Sequence, residues 1–225
     1  MPQKNIRGVI FDVDGTLVDS NPAHAQAWVK ALEEFGQQPD AEEIRRSIGM
    51  GGDKIIPMQT PWTDQEPKGK ALAKRRGEIF EERYLPNLNA FRGARDLVRK
   101  LHEQGLKLAV ASSAQPEELD PLLEIVGIQP FLSEKTSSGD AKESKPDPDI
   151  VAVALDRLGL KADEVIMVGD TPYDLCAARK LDIRPLAFLT GGWSRAELAE
   201  AEWIFEGPAE LLEVLGENPL EEVLP

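Results

Sequence analysis

The chain has 225 residues, 40 acidic and 26 basic, which gives a formal net charge of −14 at pH 7. This length suits one domain with an insertion, and an acidic chain without a clustered basic face is not expected to bind nucleic acid. A single cysteine excludes an internal disulfide, and neither a signal peptide nor an apolar run of membrane-spanning length is evident, so we expect a cytoplasmic protein without a membrane partner.

The first predicted element is a buried strand that ends in two carboxylates. Gly8–Phe11 is a short apolar run of the kind that a parallel sheet buries on both faces, and Asp12 and Asp14 follow it. Side chains alternate along a strand, so both carboxylates point to the same side. Two like charges this close require a cation, a shared proton or strong hydrogen bonds. Mg²⁺ is the candidate cation, because it prefers oxygen ligands.

The next part of the chain predicts a small all-helical insertion. Apolar residues recur at helical spacing from Trp28 to Phe35. Ala41–Ser47 and residues 68–84 are predicted to be further helices, and the stretch 49–67, rich in glycine and proline, is predicted to join them. A mobile cover of this kind would exclude water from a charged crevice and add substrate contacts. The predicted division is a cap at residues 19–87 and a core at residues 1–18 and 88–225.

The remainder alternates strands with helices, which predicts a parallel sheet with right-handed crossovers. In such sheets the polar groups at the carboxyl ends of the strands converge on one crevice. The two carboxylates after the first strand are therefore expected to meet Ser112 and Asp170, which end two later strands. The predicted strands are residues 106–111, 165–168 and 185–189, and the predicted helices are residues 94–104, 116–126, 149–158 and 175–181.

These strand ends suit the transfer of a phosphoryl group. A carboxylate can attack phosphorus and form an acyl phosphate that water then hydrolyses, and Asp12 is the candidate nucleophile. Asp14, two residues later, is the candidate general acid and base. Because two anions repel each other, the attack requires a cation and donors on the phosphate oxygens. Asp170 is the candidate metal ligand, and Asp174, one helical turn further on, is expected to support the ion or to cap its own helix.

Four positions are candidate phosphate ligands. Thr16 and Ser112 offer hydroxyl groups, and the backbone around Ser113 offers N–H groups. Lys145 precedes a predicted helix, and its ammonium group would neutralise the pair formed by nucleophile and phosphate. Taken alone, Lys145 is better explained as a solvated lysine before a helix that begins at a proline. The joint occurrence of these residues, in order and at strand ends, favours a site.

The combined pattern resembles the haloacid dehalogenase superfamily of hydrolases, in the branch that includes phosphoglycolate phosphatases and β-phosphoglucomutases. Residues 12–17 (DVDGTL) resemble its first motif, Ser112 the second, Lys145 the third and residues 169–174 the fourth. These motifs span nearly the whole chain. The resemblance implies a Rossmann-like three-layer α/β sandwich with a parallel sheet and a small helical cap inserted after the first strand.

The resemblance also implies a role for each matching residue. Asp12 is implied to be the nucleophile and Asp14 the acid and base. Ser112 and Lys145 are implied to bind phosphate. Mg²⁺ would be held by Asp12, by the backbone carbonyl of Asp14 and by Asp170.

Asp14 favours hydrolysis of a phosphate ester over the other reactions of the superfamily. Members that cleave carbon–halogen bonds usually have an aromatic residue there and need no metal. Members that cleave the carbon–phosphorus bond of phosphonoacetaldehyde usually have alanine there and use a cap lysine as a Schiff base, and residues 50–54 resemble that loop. An acid at position 14 serves an oxygen leaving group. We therefore predict an Mg²⁺-dependent phosphatase for a small phosphorylated metabolite, a phosphoglycolate or a sugar phosphate.

The cap offers four candidate substrate contacts. His24 resembles the cap histidine of the same branch, and it either positions the acid or the leaving group or simply pairs with a nearby acid. Gly51 and Gly52 are expected to expose backbone to the substrate. Lys54 is expected to bind a second polar group of the substrate or to face solvent. A phosphomutase, which returns the phosphate to a bound sugar, stays an alternative; the intact motifs disfavour a non-catalytic phosphate-binding protein.

Overall fold

The computed structural model describes residues 6–224, and a sheet of six strands forms its centre. The strands are β1 (Gly8–Phe11), β2 (Lys107–Ala111), β3 (Glu134–Thr136), β4 (Val165–Gly169), β5 (Arg184–Phe188) and β6 (Trp203–Phe205). Their order is β3-β2-β1-β4-β5-β6, and all neighbours are parallel. Strands β2 and β3 extend the sheet on one side of β1, and β4, β5 and β6 extend it on the other side. This architecture confirms the predicted α/β fold.

Four of the five α-helices between β1 and β2 form the inserted helical cap. They are α1 (Asn21–Glu34), α2 (Ala41–Ser47), α3 (Gly52–Gln59) and α4 (Pro67–Arg83). The two segments that join them to the sheet run side by side: Asp19 N donates to Asn89 O at 3.0 Å, and Phe91 N donates to Leu17 O at 2.9 Å. The helical cap is thus inserted after the first strand, whereas the domain boundaries at 18/19 and 87/88 stay a prediction.

Helices cover both faces of the sheet. They are α5 (Ala94–Glu103), α6 (Pro116–Val126), α7 (Asp149–Leu158), α8 (Pro172–Arg179), α9 (Pro208–Leu215) and α10 (Leu220–Val223), with short 3₁₀ helices at Leu85–Asn87, Gln129–Phe131, Ser138–Asp140, Ala162–Glu164 and Leu189–Gly191. Because successive strand residues point to opposite faces, Val9 and Phe11 join the apolar cluster that contains Leu97 of α5, while Ile10 joins the cluster that contains Ala154 of α7. The core therefore has three layers. Among residues 6–224, no helix is both long and apolar enough to cross a bilayer.

The structure differs from the sequence prediction at several short elements. The stretch 49–67, predicted to be a connection, contains α3, which buries Ile55 and Ile56. Strands β3 and β6 were not predicted, because each has only three residues and β3 carries two charged side chains. Helix α8 begins three residues earlier than predicted, at a proline that follows the capping residue Thr171.

Candidate active site

The candidate site lies where the carboxyl ends of β1, β2 and β4 meet. Phe11 pairs with Val110 on one side and with Val168 on the other, so the three strands end at the same level. Asp12 follows β1, and its backbone N–H donates to Val168 O at 2.8 Å. Ser112 and Asp170 follow the other two strands, and all three polar residues are buried. The order of the strands reverses beside β1, and a crevice is expected at such a point in a parallel sheet.

Lys145 contacts the carboxylate of Asp12 and is completely buried. Its Nζ donates to Asp12 Oδ1 at 2.5 Å, to Asp174 Oδ1 at 2.7 Å and to Ala111 O at 3.2 Å. Burial alone would lower the pKa of Lys145, but the charges and hydrogen bonds of the two aspartates outweigh it and raise the pKa above its ordinary value. The ammonium group is therefore a fixed positive charge in contact with the predicted nucleophile.

Three buried carboxylates form an acidic cluster. Asp12, Asp170 and Asp174 each offer an oxygen within 4.8 Å of the other two. The pKa of Asp12 is raised from 3.8 to about 7, chiefly by burial and also by the charges of Asp174 and Asp14, while Lys145 opposes this. Burial and repulsion by Asp12 and Asp174 also raise the pKa of Asp170 well above its ordinary value. The cluster holds more negative charge than one lysine balances, and its hard oxygen donors suit a divalent cation.

Asp170 accepts hydrogen bonds from the loop after β1 and from α1. Thr16 Oγ1 donates to its Oδ1 at 2.8 Å, and Asn21 Nδ2 donates to its Oδ2 at 2.9 Å. A Cβ atom at Gly15 or Gly191 would lie 2.2 Å or 2.1 Å from Asp170 Oδ2, so only glycine fits at either position. The hydroxyl group of Thr16 thus has a protein partner, Asp170, and its role toward phosphate stays a prediction.

Asp174 orients Lys145 and caps its own helix. Thr171 donates to Asp174 Oδ2 through its backbone N–H at 3.1 Å and through Oγ1 at 2.7 Å, and Lys145 donates to Oδ1. The expected capping role is therefore confirmed. Both oxygens already accept hydrogen bonds, and the role of Asp174 toward a metal ion stays a prediction.

The cap holds Asp14 through two donors. Ser20 Oγ donates to Asp14 Oδ1 at 2.5 Å, and His24 Nε2 lies 2.8 Å from the same oxygen. The imidazole ring stacks on Phe80 of α4 with 4.0 Å between the ring centres. Burial opposes ionisation of Asp14, but the charge of His24 and the bonds from His24 and Ser20 outweigh it and lower the pKa of Asp14 below its ordinary value. Ser20 was not predicted; its place at the N-cap of α1 was the available signal.

The two serines after β2 have different partners. Ser112 Oγ accepts from Ala114 N at 3.0 Å, which leaves its hydroxyl proton for another acceptor. Ser113 Oγ donates to Gly49 O of the cap at 3.1 Å, so this side chain bridges core and cap. Ser112 therefore keeps a hydroxyl proton for another acceptor, and its role toward phosphate stays a prediction, whereas the side chain of Ser113 is engaged by the cap.

Two residues of the cap loop, Gly51 and Lys54, have partners that the sequence did not predict, and their roles toward a substrate stay a prediction. Gly51 is buried and lines the small cavity beside Asp12, and its N–H donates to Ser144 Oγ at 2.8 Å. Lys54 neither reaches the crevice nor faces open solvent, because it pairs with Glu143 and, at 2.9 Å, with Asp147. These acids outweigh partial burial and raise the pKa of Lys54 above its ordinary value. A Schiff base requires a neutral amine, so this environment disfavours the reaction on phosphonoacetaldehyde.

A small cavity of about 40 Å³ separates the cap from the carboxylates. Such a volume holds only about three water molecules, which is less room than a phosphorylated metabolite needs. Arg76 of the cap and Glu118 of the core line it and were not predicted, although Arg76 falls on the apolar stripe of α4 between Leu72 and Phe80. The full lining is Asp12, Asp14, His24, Trp28, Ile48, Gly49, Met50, Gly51, Gly52, Arg76, Ser113, Ala114 and Glu118.

The family assignment agrees with this geometry. Residues 9–188 match the family model of the haloacid dehalogenase-like hydrolases, and the chain belongs to that family. A phosphoglycolate phosphatase of Yersinia pestis is 32% identical over 199 residues, which cover 86% of this chain and 85% of the relative.

Two solved structures are also similar. A hydrolase from Pseudomonas syringae is 29% identical, has a TM-score of 0.84, and the match covers 93% of this chain and 98% of that one. A Bacteroides vulgatus protein assigned as a β-phosphoglucomutase is 25% identical, has a TM-score of 0.87, and the match covers 99% and 92%. Together with the family assignment, the relatives confirm the predicted class of enzyme, a phosphatase.

Proposed function

We propose that this phosphatase depends on Mg²⁺ and hydrolyses a small phosphorylated metabolite, phosphoglycolate or a sugar phosphate, through an aspartyl phosphate on Asp12. The observation that carries the proposal is the buried contact between Asp12 Oδ1 and Lys145 Nζ at 2.5 Å, beside the acidic cluster. Lys145 occupies one oxygen of Asp12, and the other, Oδ2, has only a long contact of 3.4 Å from Thr16. Oδ2 is the oxygen available to attack phosphorus.

The residues present fit Mg²⁺. Asp12 and Asp170 would supply carboxylate oxygens, Asp14 its backbone carbonyl, and Asp174 support from the adjacent helix. Burial and mutual repulsion raise the pKa values of Asp12 and Asp170, so a bound cation would favour their ionised forms. When bound, the ion would offset the repulsion between the nucleophile and the phosphate.

Each of four residues has a role in the proposed reaction. Asp12 Oδ2 attacks phosphorus, and the phosphate–ester bond breaks with its electron pair on the leaving oxygen. Asp14 must carry a proton to protonate that oxygen, and the carboxylate so formed, which its lowered pKa favours, takes a proton from the water that hydrolyses the aspartyl phosphate and releases inorganic phosphate. Lys145 and the hydroxyl of Ser112 stabilise the charge that develops on the phosphoryl oxygens.

A panel of phosphorylated metabolites, assayed for release of inorganic phosphate with Mg²⁺ and with chelator, tests this function. We expect turnover of a small ester such as phosphoglycolate in Mg²⁺ and its loss in chelator. The proposal is overturned if no ester is hydrolysed with Mg²⁺ present, or if chelator leaves the rate unchanged.

The metal assignment predicts a stability effect that depends on pH. The pKa of Asp12 is raised from 3.8 to about 7, so in chelator the folded state keeps a proton that the unfolded chain releases. Free energy of unfolding in chelator should therefore fall as the pH rises from about 4 to about 7. Mg²⁺ requires deprotonated carboxylates, so it should raise Tm more near pH 8 than near pH 5. Thermal scans at both pH values measure this, and equal shifts would contradict it.

A second prediction concerns the acid. Asp14→Ala should slow esters with poor leaving groups most, because an aryl phosphate with an activated leaving group needs little protonation. Expected losses in kcat are about 10²–10⁴-fold for an alkyl phosphate and smaller for the aryl ester. Steady-state kinetics on both esters measure the difference, with Asp19→Ala as a matched exposed control. Equal losses in kcat on both esters would show that Asp14 is not the general acid.

A phosphomutase is the second candidate, supported by the similarity to the Bacteroides vulgatus protein assigned as a β-phosphoglucomutase. The same residues would form the aspartyl phosphate and then return the group to a bound sugar. Phosphorus NMR with a sugar monophosphate and a trace of bisphosphate separates the two reactions. Movement of phosphate between sugar hydroxyls indicates a mutase, and accumulation of inorganic phosphate indicates a phosphatase.

A further inference from the structure

Arg76 is a buried cation whose hydrogen-bond donors are only partly used. Its side chain belongs to α4 of the cap and is only 8% exposed. Nη1 donates to Glu118 Oε2 of the core at 2.8 Å. Nε has no acceptor, and within residues 6–224 Nη2 donates to none either. A buried donor without a partner costs free energy, so this edge of the guanidinium is suited to an acceptor that is brought into the cavity.

The guanidinium group of Arg76 lies beside the cavity that contains the reacting carboxylates. Arg76 lines the same cavity as Asp12 and Asp14, and it also lines a larger outer cleft between cap and core. Its guanidinium carbon lies 5.2 Å from the centre of the Trp28 ring, so an aromatic face and Glu118 fix its orientation. A molecule whose phosphate reaches Asp12 would therefore place its other end near Arg76.

We propose that Arg76 determines substrate specificity by binding a carboxylate on the leaving group. The proposal rests on the proposed phosphatase function and narrows its substrate to a small phosphomonoester that carries a carboxylate, such as phosphoglycolate. The Nε and Nη2 donors form the planar fork that matches the two oxygens of a carboxylate.

Other leaving groups fit this site less well. A hydroxyl group would satisfy only one of the two donors. A second phosphate would bring more negative charge than a carboxylate beside Asp12, Asp14 and Glu118. The chain carries a net charge of −14, so an anionic end group requires a local cation, and Arg76 supplies it.

Kinetics on two matched substrates test the proposal. The substrates are 2-phosphoglycolate and its carboxamide, which has the same size but lacks the negative charge. Arg76→Gln should raise KM for phosphoglycolate about 10- to 100-fold, the range expected for a lost charge-assisted pair, with little change in KM for the carboxamide. Arg76→Lys, which keeps the charge but not the fork, should give an intermediate KM. Arg75→Gln is the matched control, because Arg75 pairs with Glu34 outside the cavity.

Two further measurements separate a loss of substrate recognition from a loss of protein stability. Arg76→Gln leaves Glu118 buried without a cation, so the double variant Arg76→Gln/Glu118→Gln, which removes both charges, repeats the comparison in a protein without that strain. Calorimetric binding of phosphoglycolate to Asp12→Asn, with and without Arg76→Gln, measures recognition without turnover. Equal losses for both substrates, or unchanged binding of phosphoglycolate after Arg76→Gln, would overturn the proposal. If the wild-type enzyme binds phosphoglycolate through Arg76 but hydrolyses no ester, the proposed function fails and the inference stands.

Discussion

Replacing Asp12 by asparagine is expected to abolish turnover and to leave the fold intact. The amide has nearly the same shape as the carboxylate and can still accept a hydrogen bond from Lys145, but it cannot form the acyl phosphate. Loss of a residue that forms a covalent intermediate commonly lowers kcat by about 10⁴-fold or more. Release of inorganic phosphate measures the loss, and mass spectrometry of acid-quenched enzyme detects the phosphorylated aspartate in the wild type.

The control for this variant is Asp147→Asn, an aspartate that pairs with Lys54 and Lys180 and does not line the cavity. It should keep nearly full activity. The thermal midpoint of Asp12→Asn should stay close to that of the wild type, because removing one charge also relieves repulsion by Asp170 and Asp174. More than a few per cent residual activity would show that another residue is the nucleophile.

The largest expected effect on stability is that of Lys145→Ala. Lys145 is completely buried between Asp12 and Asp174, and its removal leaves two carboxylates in the interior without a cation. Removal of one partner from a buried ion pair costs about 3–5 kcal/mol of unfolding free energy. Activity should also be lost, since the phosphoryl oxygens lose a neutralising charge. Denaturant unfolding and phosphate release measure the two effects.

The pH dependence of Lys145→Ala provides an internal check. Without the ammonium group, the pKa of Asp12 should rise above its value of about 7 in the intact site. The folded state then holds a proton that the unfolded chain releases above a pH of about 4, so stability is greatest in acid and falls as the pH rises toward neutrality and beyond. Lys180→Ala, whose lysine is exposed and pairs with Asp147, should change stability by no more than about 0.5 kcal/mol. A Lys145→Ala variant as stable as Lys180→Ala would refute the buried contact.

Local patterns in the sequence were sufficient for the elements that have strong signals. The apolar runs of β1, β2, β4 and β5 and the glycine-terminated helices are set by neighbouring residues, so their prediction needs no knowledge of the fold. The short strands β3 and β6 have no such signal, because pairing with the sheet alone makes them strands. Helix α3 was missed for a related reason: it lies in a stretch rich in glycine and proline and is stabilised by burial of its isoleucines.

The candidate site likewise has features that follow from the sequence and features that depend on the tertiary structure. The sequence by itself determined which polar residues follow the strands, because a parallel sheet must bring the carboxyl ends of its strands to one edge; Asp12, Ser112 and Asp170 meet there. Only the tertiary structure decided which atoms these groups engage. It directs Thr16 to Asp170, pairs Lys54 with acids of the core, and brings Arg76 against Glu118, which is 42 residues away in the chain. These partners come from separate elements, and their contacts depend on how the cap packs on the sheet, which no local pattern encodes.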